Sequence, residues 1–268
     1  MRSQRVKQFD AVIALNIEVT PSWKVLAFNW PESVEPPLPG QFFTFRPRTL
    51  NPGDSTLLRR PLAFAGFDGA NAYCIYQVRG PGTNSLSAIP VGEKINIIAP
   101  LGNVFPMPEP WETAILAGGG IGIGPMLFLA SKLKARLFLG FRSEISIPCF
   151  SFPGLGEVFE NLVRSSTIST DDGSRGVRGS IRTAIDAMPH IQSEESLHFY
   201  ACGPKPMLAS IAQAASSRGA PAHVSVEQWM ACGVGACHGC VVPSSKGGYL
   251  RACADGPVFD SRDLAWEE

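Results

Sequence analysis

Apolar residues in the first hundred positions come in short runs, each closed by glycine, proline or a polar turn. Residues 11–19 and 24–29 are rich in strand formers and are separated by Thr20, Pro21, Ser22 and Trp23. Residues 41–45 follow Pro39 and Gly40, and the runs 72–78 and 94–98 follow further turns. Short strands at this spacing predict an antiparallel β-barrel. Residues 51–55 (NPGDS) read as a polar loop. Prolines at 106, 108 and 110 suit neither a helix interior nor a central strand, so this stretch predicts a linker. Beyond it the pattern changes to short buried strands (113–117, 135–141, 197–202) alternating with helical stretches (125–133, 181–188, 206–217), with Pro125 in the first turn of its helix. That alternation predicts a compact parallel α/β unit. From about Pro221 the chain becomes rich in glycine and cysteine. The expected architecture is multidomain, α+β and α/β: a β-barrel over 1–108, a parallel α/β nucleotide-binding domain over 109–220 and a small C-terminal module over 221–268.

Composition narrows the function. Hydrophobic residues make up 45% of the 268, enough for sizeable cores, which excludes global disorder. Lys plus Arg and Asp plus Glu are 23 each, so the formal net charge is zero, and the basic surplus of a general nucleic-acid binder is missing. Charged residues are 17%, below the roughly 25% of ordinary domains, and low charge density with no net charge favours association with a partner. Residues 1–7 are basic with no apolar run behind them, unlike a secretory signal, and the apolar block 114–130 is broken by glycines and a proline. These features predict a cytoplasmic protein that does not enter a membrane. In that reducing setting an odd number of cysteines, seven, argues against a disulfide framework.

Four of those cysteines fall within 22 residues and carry the strongest chemical signal. Cys232, Cys237, Cys240 and Cys253 are spaced C-x4-C-x2-C-x12-C, whose first three positions match the plant-type two-iron, two-sulfur ligand run. Three thiolates must converge on an iron pair from one tight loop, and Gly233, Gly235 and Gly239 permit the curl and let backbone N–H groups approach sulfur. Cys253 returns on a hairpin as the fourth ligand. A structural zinc site is the alternative, although zinc modules usually pair two C-x2-C knuckles and one is present here. His238, inside the loop, reads as a bystander at a protein–protein surface.

A second motif, the run of glycines at 118, 119, 120, 122 and 124 ending in Pro125, follows a strand and opens a helix. Glycines allow a pyrophosphate close to the backbone and the helix N-terminus stabilises its charge, although a tight turn without ligand also fits. Arg59 and Arg60 precede the stiff Pro61-Leu62-Ala63 segment, where an arginine could grip a phosphate or simply lie on the surface. Arg79 to Thr83 alone reads as a turn. Cys202, at the end of a strand before Gly203 and Pro204, could face a nicotinamide or be a buried structural thiol.

Taken in order, these segments resemble the ferredoxin–NADP reductase superfamily. Within it the chain is similar over nearly its whole length to the electron-transfer subunits of NAD-dependent (class 1B) dihydroorotate dehydrogenases. The most specific stretches are 227–242 and 251–259, with the turn 170–174 also similar. The resemblance implies FAD, a [2Fe-2S] cluster and NAD as cofactors. It assigns Arg60, Pro61, Leu62 and Ala63 to the flavin segment, Ile75, Tyr76 and Gln77 to a strand contacting FAD, and Gly82 and Thr83 to the FAD phosphates. Gly120, Gly122 and Pro125 match the dinucleotide turn and the four cysteines the cluster ligands; no catalytic acid or nucleophile is implied. It further implies an FMN-containing dihydroorotate dehydrogenase catalytic subunit as partner, in a heterotetramer of two each, with electrons running from dihydroorotate through FMN, cluster and FAD to NAD+ in pyrimidine biosynthesis. Two positions depart from the family: Ala63 stands where relatives carry Ser or Thr, and Gln77 replaces an Arg, for which Arg59, Arg79 or a loop residue could compensate. Glu144 is the nearest acidic candidate for the ribose. Another flavin and iron–sulfur reductase subunit, of hydrogenase or bifurcation type, is the nearer alternative, and a non-catalytic zinc-bearing binding protein the distant one.

Overall fold

The structure, a computed structural model, describes residues 6–48, 57–188 and 196–266. The polar loop expected at 51–55 and the first five residues lie outside these.

The first unit is built on β1 (Lys7–Thr20), β2 (Trp23–Asn29), β3 (Phe42–Phe45), β4 (Arg60–Ala63), β5 (Gly66–Phe67), β6 (Asn71–Gln77) and β7 (Lys94–Leu101), with the short helix α1 (Pro81–Ser87) between the last two. All pairings are antiparallel, in the order β4-β3-β7-β1-β2-β6-β5. One short segment closes the curl. Ala63 pairs with Phe42 and the Phe64 N–H reaches Gln41, whereas the Ala65 N–H reaches Tyr73. Residues 60–67 thus join both ends of the sheet, giving the expected barrel.

The long strand β1 serves two cores because it bulges. Register slips between Ile13 and Leu15, so odd-numbered residues change face there. Ala11 and Ile13 point into the barrel with Phe28, Phe43 and Tyr76. Leu15, Ile17 and Val19 pack outward with Trp23, Val25 and Ile75 against the second unit. The near-continuous apolar run of β2 follows from this: Leu26 and Phe28 face the barrel interior and Val25 and Ala27 the inter-unit core, so both faces are buried.

The second unit contains β8 (Glu112–Gly119), α2 (Ile123–Ala130), β9 (Ala135–Phe141), α3 (Gly156–Ser165), β10 (Thr167–Thr170), β11 (Val177–Arg178), α4 (Ile181–Asp186), β12 (Ser196–Cys202), α5 (Lys205–Ser216) and β13 (Ala222–Ser225). Helices α2 and α3 cover the sheet face toward the barrel, and Phe128 of α2 reaches the barrel core itself. Helices α4 and α5 cover the other face. After them come the hairpin β14 (Val241–Pro243) and β15 (Tyr249–Arg251), and β16 (Val258–Asp260). The large sheet runs β11-β10-β9-β8-β12-β13-β16, parallel throughout except for the antiparallel β13–β16 pair. Thus β13 and β16, both within 221–268, complete the sheet of the second unit. Asn103 ties the same strand to the barrel end: its side chain accepts from the Val258 N–H at 2.9 Å and donates to the Val258 carbonyl at 2.7 Å.

Across the N-terminal edge of this sheet run Glu112, His198 and His223. Glu112 Oε2 lies 2.9 Å from His198 Nδ1, and His198 Nε2 lies 2.8 Å from His223 Nδ1. Burial, followed by the neighbouring His198, lowers the His223 pKa. Burial alone would raise the Glu112 carboxyl, but hydrogen bonds from the Glu109 N–H and His198 outweigh it and hold the group below the usual range. No helix among the described residues is long and apolar enough to cross a membrane.

Candidate functional site

Two sets of residues meet on the side of the barrel where β3 and β4 lie against the C-terminal loop, and a third lies at the ends of β8 and β12. The loop itself comes first. Cys240 and Cys253 are buried with sulfurs 3.2 Å apart, while the exposed Cys237 reaches the half-buried Cys232 through its backbone N–H. Backbone N–H groups aim at three of the sulfurs: Val234 and Cys237 at Cys232 (3.5 and 3.4 Å), Gly235 at Cys253 (3.2 Å) and Cys253 at Cys240 (3.4 Å). Gly235 has φ +80°, and a Cβ there would meet Ala254 at 3.0 Å, so only glycine suits the curl.

The thiols respond differently. Burial opposes ionisation of Cys232, but the two N–H donors and the Cys237 thiol outweigh it and bring the pKa to about 6. Burial, followed by the Cys240 neighbour, pushes Cys253 up to about 12. The loop therefore offers one ready thiolate and keeps a buried proton that a metal must displace. Four thiols on one loop and its returning strand, three of them accepting N–H···S bonds, fit a binuclear cluster. His238 is exposed in the left-handed region, φ 56°, consistent with the bystander reading.

The loop sits directly on the barrel. Cys240, Ala252 and Cys253 pack with Phe42 of β3 and Leu101 of β7, and Gly233 approaches Thr44 so closely that a Cβ would lie 2.8 Å from its Cγ2. Along one edge the same strand pairs with residues 60–63, Phe42 with Ala63 and Thr44 with Pro61, and along the other with β7. Arg60, at the start of β4, lies over Gly82, where a Cβ would meet its Nε at 2.7 Å. The segment 79–83, which alone reads as a turn, opens helix α1, and Thr83 Oγ1 accepts from the N–H groups of Arg79 and Gly80. Ile75 and Tyr76 are buried. The Tyr76 hydroxyl donates to Asn16 at 2.8 Å, and burial, more than nearby Cys74, raises its pKa.

The Gln77 Oε1 accepts from Arg79 Nε at 2.6 Å, which holds the Arg79 side chain beside position 77. Arg59 is committed elsewhere, to the Thr44 and Asn96 carbonyls and the Asn96 side chain.

The third set lies at the C-terminal ends of β8 and β12. Gly120 has φ +56°, and no atom stands within 4 Å of where its Cβ would be, so its face is open. Gly122 is closed: a Cβ would meet the Cys202 carbonyl oxygen at 2.2 Å. Pro125 is buried in α2. Cys202 is pushed up to about 12, chiefly by burial against a hydrogen bond with Ser225, and stays a neutral thiol. Glu144 ion-pairs Arg175 at 3.4 Å, and its N–H donates to Ser174. Phe42, Thr44, Asn103, Arg251 and Asp255 were not singled out from sequence. Only the i, i+4 spacing of the last two carries a signal there.

A curled barrel beside a doubly covered parallel sheet, with a cysteine loop docked on the barrel, is the architecture of the ferredoxin reductase fold with an appended cysteine-bearing domain. Residues 227–265 match the iron–sulfur cluster binding domain of dihydroorotate dehydrogenase B. The chain is 36% identical over 245 residues to the dihydroorotate dehydrogenase B (NAD(+)) electron transfer subunit of Caldanaerobacter subterraneus subsp. tengcongensis, covering 89% of this chain and 91% of that one. It is 33% identical over 271 residues to the subunit of the same name from Desulforamulus reducens, covering 97% and 99%. The chain belongs to this family of electron transfer subunits. Among solved structures, the NADH-dependent reduced ferredoxin-NADP oxidoreductase of flavin-based electron bifurcation superposes with TM-score 0.79 at 24% identity, over 96% of this chain and 90% of that one. Phthalate dioxygenase reductase superposes with TM-score 0.56 at 18% identity, over 77% and 63%. These two show the shared fold.

Proposed function

We infer that this chain is the electron-transfer subunit of an NAD-dependent dihydroorotate dehydrogenase, linking an FMN-containing catalytic subunit to NAD+ in pyrimidine biosynthesis. When bound, FAD exchanges a hydride with NAD(H) and a [2Fe-2S] cluster passes electrons singly. The observation that carries the reading is the double role of β3: Phe42 packs against Cys240 and Cys253 and pairs with Ala63. The cysteine loop packs on side chains of β3 and β7, and residues 60–63 form the next strand of the same sheet, about 4.8 Å from β3.

Each set of residues has a role in this reading. Cys232, Cys237, Cys240 and Cys253 hold the irons. The stiff segment Arg60, Pro61, Leu62 and Ala63, with Ile75, Tyr76 and Gln77, positions the flavin. Arg60, Arg79, Gly82 and Thr83 meet its phosphates. Gly120, Gly122 and Pro125 present the open turn and helix N-terminus to the pyrophosphate of NAD(H), with the neutral Cys202 thiol at the nicotinamide side and Glu144 toward the ribose. FAD then belongs to 1–108, NAD to 109–220 and the cluster to 221–268. Around the cluster loop Trp229 is 90% exposed and Tyr249 71%, large apolar surfaces that suit burial against the catalytic subunit, two of each chain forming the complex. The curated relatives at 33–38% identity favour this reading over a bifurcation-type reductase subunit, whose likeness is one of fold.

The reading predicts that the isolated chain, loaded with its cofactors, oxidises NADH with an artificial acceptor such as ferricyanide and leaves dihydroorotate untouched. Adding the FMN-bearing subunit should restore dihydroorotate-dependent NAD+ reduction. Dihydroorotate oxidation by the chain alone would contradict it.

A further inference from the structure

Arg251 has no part in the scheme above, yet each of its three guanidinium nitrogens donates a hydrogen bond beside the cysteine loop. It ends β15, two residues before Cys253. Its Nε and Nη2 meet the Asp255 carboxylate at 3.1 and 2.9 Å, and its backbone N–H donates to the same carboxylate at 2.8 Å. Its Nη1 donates to the Gly235 carbonyl at 3.3 Å. Gly235 is the residue whose N–H reaches the Cys253 sulfur. The N–H groups of Ala254, Asp255 and Gly256 close on the Arg251 carbonyl, so the turn that carries Cys253 is wound around this residue. Arg251 therefore ties the turn bearing the fourth cysteine to the loop bearing the first three, beside the buried pair.

We propose that Arg251, clamped by Asp255, is a positioning residue that holds the Gly235 N–H on the Cys253 sulfur and thereby keeps the reduction potential of the cluster high. The proposal rests on the electron-transfer reading above. Hydrogen bonds to cluster sulfurs and a nearby positive charge both favour the added electron. Lysine separates the two effects, because it keeps the charge but lacks the planar fork that engages Asp255 and Gly235 together.

The test is an EPR-monitored redox titration of the full chain, reconstituted anaerobically with iron and sulfide, as wild type, Arg251→Lys and Arg251→Gln, with iron content measured alongside. Both variants are expected to hold the full iron complement, with midpoints below wild type and a flavin potential that does not move. The shift in Arg251→Gln should be the larger, about a tenfold change in the one-electron equilibrium, or about 59 mV. Arg251→Lys with full iron and a wild-type midpoint would overturn the proposal. Asp255→Asn gives an independent reading if Arg251→Gln fails to keep its irons. A pure charge effect raises the midpoint when a carboxylate is removed, whereas loss of positioning lowers it; a rise would overturn the proposal. A wild-type chain that takes up no iron and sulfide at all would instead overturn the electron-transfer reading, a result distinct from either variant outcome.

Discussion

Cys253→Ala is expected to abolish the visible absorption of the cluster and to bring bound iron close to zero, while most of the flavin stays. Cys253 is buried, 3.2 Å from Cys240, and its sulfur is the acceptor of the Gly235 N–H. Alanine removes one member of the buried pair and leaves that N–H without its partner, which costs about 1–3 kcal/mol locally. A binuclear cluster short of one protein thiolate has no other cysteine in the loop to recruit. The flavin segment lies across β3 and keeps its own pairing with Phe42, Phe43 and Thr44. Iron, acid-labile sulfide and flavin measured on one preparation check this. Loss of FAD with an intact cluster spectrum would be the opposite result.

Gly122→Ala should unsettle the nucleotide turn more than its size suggests. Gly122 has φ −64°, which any residue adopts, so the cost is one of space alone. Its Cβ would stand 2.2 Å from the Cys202 carbonyl oxygen, 2.4 Å from the carbonyl carbon and 2.7 Å from the Gly203 nitrogen. These are backbone atoms, so no rotamer change relieves the contact, and the turn must part from the end of β12. Overpacking of this kind costs roughly 1–3 kcal/mol or more, a loss on the order of 5–10 °C in Tm for a protein of this size. NADH-driven ferricyanide reduction should fall by at least tenfold through KM, because the displaced peptides are those flanking the dinucleotide turn. Gly120→Ala is the informative comparison. Its site is open, and only its positive φ of 56° opposes a side chain, so about 1 kcal/mol is expected. Thermal unfolding and steady-state kinetics of the two variants, side by side, separate crowding from backbone strain. Equal behaviour of the pair would show that the close approach to Cys202 is relaxed in solution.

The parts of the fold that were legible in the sequence are those governed by local periodicity. Strand alternation, the change of period after 110 and the cysteine spacing placed the barrel strands, the α/β elements and the cluster loop. What escaped depends on contacts between distant segments. The bulge after Ile13 reverses which face of β1 is buried, and nothing in an apolar run announces where register slips. The antiparallel addition of Val258–Asp260 to Ala222–Ser225 is a three-residue pairing that joins the C-terminal segment to the second sheet. Helix α3 was missed because its mixed polarity hides a narrow apolar face, with Phe159 and Val163 buried. Helix α1 was masked by Gly-Pro-Gly, a turn signal until Thr83 is seen to accept from Arg79 and Gly80. At the site, the donor set could be read from residue types and spacing. The hydrogen bond that holds Arg79 beside Gln77 required coordinates, because it lies in a side-chain contact rather than in a motif. The contact of the cysteine loop with Phe42 likewise spans nearly two hundred residues of chain.

The measurement closest to the heart of the account is the cofactor content of the anaerobically reconstituted chain. Two irons, two acid-labile sulfides and one FAD per chain, with NADH bleaching the flavin absorption and then the cluster's, is the predicted result. Stoichiometric zinc without sulfide, or a chain that remains colourless, would contradict it.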